Sequence, residues 1–310
     1  MNKYDLIGDI HGHAEGLVRL LEQMEYRKEG NGYRHSTRTV IFLGDFIDRG
    51  SRILETLEIA RTMVDEGEAF AVMGNHEYNA ICYHTSDGAG GHLREHNPKN
   101  DHQHAATVEA FKGKDDLWRE YLEWFKTLPL FLDFGNLRVA HACWHDGALD
   151  ALGRNPRFDD SLLVGSGKTW TPRMEAVNLL LKGPEMLLPK GSQIADHDGH
   201  IRKDFRVKWW GDLRARSYAE VALPMPLELP DEPFPENERS KLCGYPDDAP
   251  PMFFGHYGFK KDPAPMKPNL ACVDFAVTGG GCLGAYRWDG EQKLNANKFV
   301  TSHEVKPRAR

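Results

Sequence analysis

The stretch Thr39-Val40-Ile41-Phe42-Leu43-Gly44-Asp45-Phe46-Ile47-Asp48-Arg49-Gly50 decides the fold. Its first five residues are mostly β-branched or aromatic and stop at a glycine, which reads as a short buried strand. Polar Asp45, Asp48 and Arg49 follow at once. Ile53, Leu54, Leu57, Ala60 and Val64 then recur at helical spacing, with Ser51 as the expected N-cap. The same order occurs twice more. Residues 3–7 run into Gly8-Asp9-Ile10-His11-Gly12, after which Leu17, Leu20, Leu21 and Met24 take helical spacing. Residues 69–73 run into Gly74-Asn75-His76-Glu77. Strands alternating with helices predict an α/β layered fold.

Outward from this core the rhythm breaks. Residues 84–114 are polar, Gly-rich and His-rich, carrying His84, His92, His96, His102 and His104. No apolar period and no compact metal-ligand pattern organises them, so we read a mobile surface excursion. A helix is expected over 115–127, bearing Leu117, Trp118, Tyr121, Leu122, Trp124 and Phe125 and stopped by Pro129. Strand-like runs follow at 130–134 and 137–140, the second ending in His141, and a helix is expected near 172–182. Residues 222–251 are Pro-rich and read as a loop or extended lid. Runs at 252–255, 270–277, 282–288 and 297–301 read as strands, with a turn at Gly279, Gly280, Gly281 and Gly284.

The chain has 310 residues, 39 Lys+Arg against 46 Asp+Glu, and a formal charge of -7. That balance argues against a protein that coats long nucleic acid, which needs a basic stripe. It does not exclude a phosphorylated substrate, because a local site can invert the global sign. Cys82, Cys143, Cys243, Cys272 and Cys282 are odd in number and form no C-x-x-C pair, which fits reduced thiols. Neither a signal-peptide core nor 18 consecutive apolar residues occur, so a cytoplasmic protein without a membrane partner is expected. We read one domain over 1–310, with insertions at about 84–114 and 222–251; the sequence says nothing of oligomeric state.

Chemistry gathers where the strand-like runs end: Asp9 and His11, Asp45 and Asp48, Asn75 and His76, then His141 and His256. Functional groups collect at the carboxyl ends of strands in α/β sheets. Carboxylate, amide and imidazole together suit a borderline transition metal better than a calcium cage. A carboxylate can bridge two cations because it has two oxygens, and two cations about 3.5–4 Å apart grip both ends of an in-line displacement. For any one motif, ordinary turn chemistry beside glycine is an adequate account. The ordered set is not explained that way.

That ordered set resembles the calcineurin-like metallophosphoesterases, and Asp48-Arg49-Gly50 resembles the phosphoprotein phosphatase branch with its diadenosine tetraphosphatase-like relatives. The resemblance covers residues 4–80 and the surroundings of 141 and 256. It implies a four-layer α/β sandwich of two mixed β-sheets flanked by helices, with a dinuclear site at the strand ends. It implies Asp9 and His11 as ligands of a first metal, Asp45 as the bridge, and Asn75, His141 and His256 as ligands of a second. The ions would be manganese first, with iron, zinc, cobalt or nickel as alternatives. His76 would protonate the leaving group, Asp48 would hold the His76 ring, and Arg49 with Asn75 would bind phosphate oxygens. Glu77 reads as a structural carboxylate.

The activity so implied is phosphoester hydrolysis by direct attack of metal-bound hydroxide. The partner is a phosphorylated peptide or a small nucleotide. A Ser/Thr protein phosphatase-like phosphomonoesterase is the first reading, a dinucleoside polyphosphate hydrolase the alternative, and a nucleic-acid end phosphatase a weaker third. A non-catalytic metal-binding scaffold is the rival of another class; the presence of His76 and every expected ligand speaks against it. Trp209-Trp210-Gly211-Asp212 resembles the family's strand on the substrate face, with core packing as the plain alternative. Arg214 and Arg216 are candidates for a second phosphate-binding arginine.

Overall fold

Along the strand Lys3–Ile7, Tyr4 and Leu6 face one side and Ile7 the other, the two-residue alternation of an extended chain. The structure is a computed structural model and describes residues 2–163, 171–195, 201–223 and 229–302. Lys3–Ile7 lies parallel to Arg38–Phe42, which lies parallel to Ala69–Ala71. On its other side it pairs antiparallel with Cys282–Trp288, which also carries Asp274–Phe275 and Phe299–Thr301. A second sheet has the order Leu270–Cys272, Met252–Phe254, Arg138–Ala140, Phe131–Asp133, with only the last pair antiparallel.

The sheets pack face to face. Tyr4, Leu6, Ile41 and Tyr286 from the first meet Val139, Phe253 and Ala271 from the second in one buried cluster. Outside the first sheet lie helices α1 (Ala14–Gln23) and α2 (Ile53–Asp65), burying Leu17, Leu20, Leu21, Ile53, Leu57 and Met63. Three more helices follow: α3 (Asn75–His84), α4 (Pro98–Ala110) and α5 (Asp115–Thr127). Helices α6 (Asp146–Ala151) and α7 (Pro172–Lys182) pack on one another beside the second sheet. The result is the expected four-layer α/β sandwich.

This topology sets the site. Three parallel strands of one sheet and two of the other deliver their carboxyl ends, and hence the Asp9, Asp45, Asn75, His141 and His256 loops, to one edge.

Several local expectations are corrected. Residues 98–110 form a helix rather than an irregular excursion: Asn97 caps it by accepting the Asn100 N–H, and Pro98 opens it. Arg52, not Ser51, stands at the α2 cap position, with no side-chain cap bond. The run 270–277 is two strands, because the chain leaves one sheet after Cys272 and enters the other at Asp274. Trp209 and Trp210 lie in a turn rather than a strand. Residues 224–228 of the second insertion and the basic tail of Lys306, Arg308 and Arg310 lie outside the described residues. The rest of that insertion shares a small separate core with earlier residues, including Met186, Phe205, Val207, Tyr218, Phe234 and Leu242. No helix among the described residues is long and apolar enough to cross a membrane.

Candidate metal centre

Five non-glycine residues at this edge have left-handed backbones: His11 (φ 47), Asp45 (φ 54), Asp48 (φ 68), Arg49 (φ 68) and His256 (φ 72). An L-residue loses about 1–2 kcal/mol in that region, so packing must hold these positions against their own preference. Two glycines make the close approach possible. A Cβ on Gly74 would stand 2.3 Å from the Asp45 amide nitrogen, and one on Gly255 would stand 2.1 Å from Asp9 Oδ1.

Asp45 is the hub. Its Oδ2 lies 3.4 Å from His141 Nε2, 3.6 Å from His11 Nε2 and 3.9 Å from His76 Nε2. The far nitrogens of two rings are engaged: His11 Nδ1 lies 2.8 Å from the Ile47 carbonyl, and His141 Nδ1 lies 2.6 Å from that of Leu43. With those nitrogens donating, each Nε2 lone pair faces Asp45. The 3.4 and 3.6 Å gaps are long for hydrogen bonds. They suit two ligands sharing one ion, which at bond lengths near 2.1 Å sit about 3–3.5 Å apart.

Two clusters of metal-capable atoms result, His11–Asp45–His76 and Asp45–His141–His256, each with its atoms within 4.8 Å of one another; with Nδ1 bonded to Asp48, His76 stands beside the first cluster as a proton carrier rather than a ligand. Asp45 is common to both. Asn75 Oδ1 joins the second, 3.1 Å from His141 Nε2 and 2.7 Å from His256 Nδ1. Neither group includes Asp9. Its carboxylate accepts the His256 backbone N–H, at 3.0 and 3.2 Å.

The electrostatics suit a cation. Burial, then the charges of Asp274 and Asp45, hold the Asp9 carboxyl well above its usual range. Burial and neighbouring His76 push His11 down to about 3. Burial, Arg206 and His141 keep His256 neutral, well below an ordinary histidine. Burial opposes a charge on His141, but Asp45 and Asp9 outweigh it and push the ring up to about 10. A divalent ion reverses that last sign, since the ligating nitrogen must be unprotonated. Neutral imidazoles beside crowded, buried carboxylates fit two divalent transition ions.

His76 differs from the other rings because its Nδ1 is taken by Asp48 Oδ2 at 2.6 Å. Burial opposes protonation of His76, but Asp45 and this hydrogen bond outweigh it and raise its pKa. Glu77 accepts backbone N–H groups from Asp45 (2.8 Å), Phe46 (2.9 Å) and Gly74 (3.0 Å), tying the second loop to the start of α3. Arg49 is exposed at the rim and donates to Thr278 Oγ1 at 3.1 Å.

Residues that the sequence reading did not assign also belong here. His104 Nδ1 lies 2.8 Å from Asp48 Oδ1, and Thr107 donates to the same oxygen at 2.5 Å. Arg206 Nη1 donates to the His256 carbonyl at 3.2 Å. The positional signal for His104 and Thr107 was their i, i+3 spacing behind an Asn-Pro helix start; no signal marked Arg206. By contrast Arg214 is exposed and paired with Asp212. Trp209 is fully buried and donates to the Ala142 carbonyl at 3.0 Å, which makes it core.

A profile of the calcineurin-like phosphoesterases matches residues 3–226. The chain is 27% identical over 143 residues to the asymmetrical bis(5'-nucleosyl)-tetraphosphatase PrpE of Oceanobacillus iheyensis, covering 45% of this chain and 56% of that one. The chain spans 55–65% of the length of asymmetrical tetraphosphatases that it matches. It is 22% identical to a symmetrical bis(5'-nucleosyl)-tetraphosphatase of Vibrio vulnificus over 301 residues, 93% of this chain and 95% of the other. Its fold is shared with a protein serine/threonine phosphatase from Saccharomyces cerevisiae, at TM-score 0.52 and 15% identity, covering 98% of this chain and 81% of that chain. The motifs, the sandwich and the profile agree: the chain belongs to the calcineurin-like phosphoesterase family.

Proposed function

We propose that this chain is a metal-dependent phosphoesterase-family hydrolase that cleaves the phosphoanhydride chain of dinucleoside polyphosphates, in one domain over 1–310. Asp9, His11, Asp45, Asn75, His141 and His256 would hold two divalent ions. The observation that carries the reading is the Asp45 carboxylate, faced by His141 and His11 at 3.4 and 3.6 Å with His76 beside it. Alignment over nearly the whole of both chains with a symmetrical tetraphosphatase supports the substrate class.

Bound ions would supply Lewis acidity and a water nucleophile at neutral pH. The rest falls to this chain's side chains. Arg49, a forked donor at the rim, and Asn75 grip non-bridging phosphate oxygens. Asp48 accepts from His76 Nδ1, so the ring keeps its second proton on Nε2, on the side facing Asp45. As the phosphorus–oxygen bond breaks, that proton passes to the leaving oxygen, and Asp48 stabilises the ring in the required tautomer. Burial of Asp45, Asp48 and His76 keeps bulk water from competing for these bonds.

A second reading, hydrolysis of a Ser/Thr phosphomonoester, is supported by the complete Asp48-Arg49-Gly50 sequence. The two are separated by measuring kcat/KM for diadenosine tetraphosphate, a phosphoserine peptide and a 2′,3′-cyclic nucleotide with Mn²⁺. We expect the tetraphosphate to lead by at least about tenfold, which is about 1.4 kcal/mol in transition-state binding. A leading phosphopeptide would transfer the assignment to the second reading. Inactivity with every substrate and every divalent ion would leave a metal-binding scaffold.

A further inference from the structure

Behind the His76–Asp48 pair stands a second imidazole. Helix α4 presents His104 and Thr107 one turn apart on a single face, and both are buried. Asp48 thus accepts from three donors: His76 on Oδ2 at 2.6 Å, and His104 (2.8 Å) and Thr107 (2.5 Å) on Oδ1. The Thr107 hydroxyl is fixed from the other side as well, because it accepts the Asp48 backbone N–H at 3.0 Å. His104 Nε2 in turn lies 3.2 Å from His84 Nε2. The proton count closes: His104 donates from Nδ1 to the carboxylate and accepts at Nε2 from His84. Tyr83, with its ring centre 5.1 Å away, and Trp118, at 5.9 Å, flank the ring.

A carboxylate turns easily about its last torsion, since that rotation is broad and roughly two-fold. A single bond to His76 would leave Asp48 free to turn and His76 free to tilt. Two donors on the opposite oxygen remove that freedom. We propose that His104, with Thr107, is a positioning residue for the hydrolysis: it locks the Asp48 carboxylate so that His76 Nε2 stays aimed at the leaving oxygen. This rests on the hydrolase reading above. Plain helix packing would also bury a polar pair against a carboxylate; the two accounts differ in which kinetic constant moves and for which leaving group.

The test uses the whole chain loaded with Mn²⁺, an alkyl phosphate ester and p-nitrophenyl phosphate. His104→Leu removes the donor and keeps an apolar side chain in the space. His104→Asn offers an amide N–H close to where Nδ1–H stood. We expect His104→Leu to lower kcat on the alkyl ester about 10–100-fold, the order expected when a reacting group is misplaced by up to an ångström. KM and metal content should stay within twofold of wild type, about the level of no effect. The loss on p-nitrophenyl phosphate, whose leaving group needs little protonation, should be clearly smaller, and His104→Asn should recover most of the rate. Thr107→Val serves as the second variant if His104→Leu does not fold, with the same direction expected.

Unchanged kcat in both Thr107→Val and His104→Leu, or equal losses on both esters, would overturn the assignment. Wild-type protein inactive on every ester and on diadenosine tetraphosphate would instead sink the hydrolase reading itself.

Discussion

A methyl group at Gly255 tests whether Asp9 belongs to the metal site. The Cβ of Gly255→Ala would stand 2.1 Å from Asp9 Oδ1 and 3.3 Å from its carboxyl carbon. Carbon–oxygen contacts settle near about 3.5 Å, so something must retreat by more than an ångström. The backbone is poorly placed to do so, because Gly255 N–H donates to the His141 carbonyl at 2.7 Å. The Asp9 carboxylate is the part that can move, and moving breaks its bond from the His256 N–H. Overpacking of this kind costs about 1–3 kcal/mol of stability. A ligand displaced by an ångström costs about 10²-fold in rate, or about 2.7 kcal/mol.

The assay is metal per chain by elemental analysis, followed by kcat with Mn²⁺. Gly16→Ala is the control: its nearest neighbours, Leu283 Cβ and Ser302 Oγ, lie at an ordinary 3.8 Å. Inside α1 it should add up to about 1 kcal/mol of stability and leave kcat unchanged. A Gly255→Ala protein that keeps two ions and wild-type kcat would refute the placement of Asp9 as a ligand held beneath His256.

Three further outcomes follow from the same geometry. Asp45→Asn removes the charge common to both ligand groups, so metal content should fall from two ions to at most one; two ions retained would contradict the bridge. His76→Asn should leave metal content intact and slow an alkyl phosphate about 10²–10⁴-fold, the usual worth of a general acid. Its effect on a phosphoanhydride should be smaller, and an unchanged alkyl rate would remove His76 from the role. His84, although solvent reaches part of its ring, is pushed down to about 4 by desolvation and by the neighbouring His104, His96 and His92. A ring neutral when folded but charged below about pH 6.5 when unfolded gives stability that is full above pH 6.5 and lost as pH falls towards 4. Urea melts at pH 7 and pH 4.5 should show a larger drop for wild type than for His84→Gln; equal drops would refute the coupling.

Much of this was legible in the sequence, for identifiable reasons. The expected helices at 115–127 and 172–182 match Asp115–Thr127 and Pro172–Lys182, each bounded by a proline. The strand ends carrying Asp9, Asp45, Asn75, His141 and His256 were readable because glycine follows or precedes each apolar run. Helix α4 was hidden because its buried face is polar: His104 and Thr107 take places where a hydrophobic period was sought. The Asn97-Pro98 start was its one visible mark. The hairpin Arg27–Glu29 with Gly32–Arg34 is marked in the sequence only by Gly30-Asn31, ordinary turn chemistry between two very short strands. Arg206 could not be found at all, because its relation to the site is made by the chain returning to the His256 carbonyl from 50 positions away.

The left-handed backbones of His11, Asp45, Asp48, Arg49 and His256 set stability and chemistry against each other at single positions. At each one the conformation favours glycine, whereas the proposed reaction needs a large polar side chain. Arg49, exposed and hydrogen-bonded among the described residues to Thr278, isolates the conflict best. Arg49→Gly should melt no lower than wild type while binding phosphate more weakly. A drift of such substitutions in a laboratory selection for thermostability alone would empty the site one loop at a time and leave the sandwich standing.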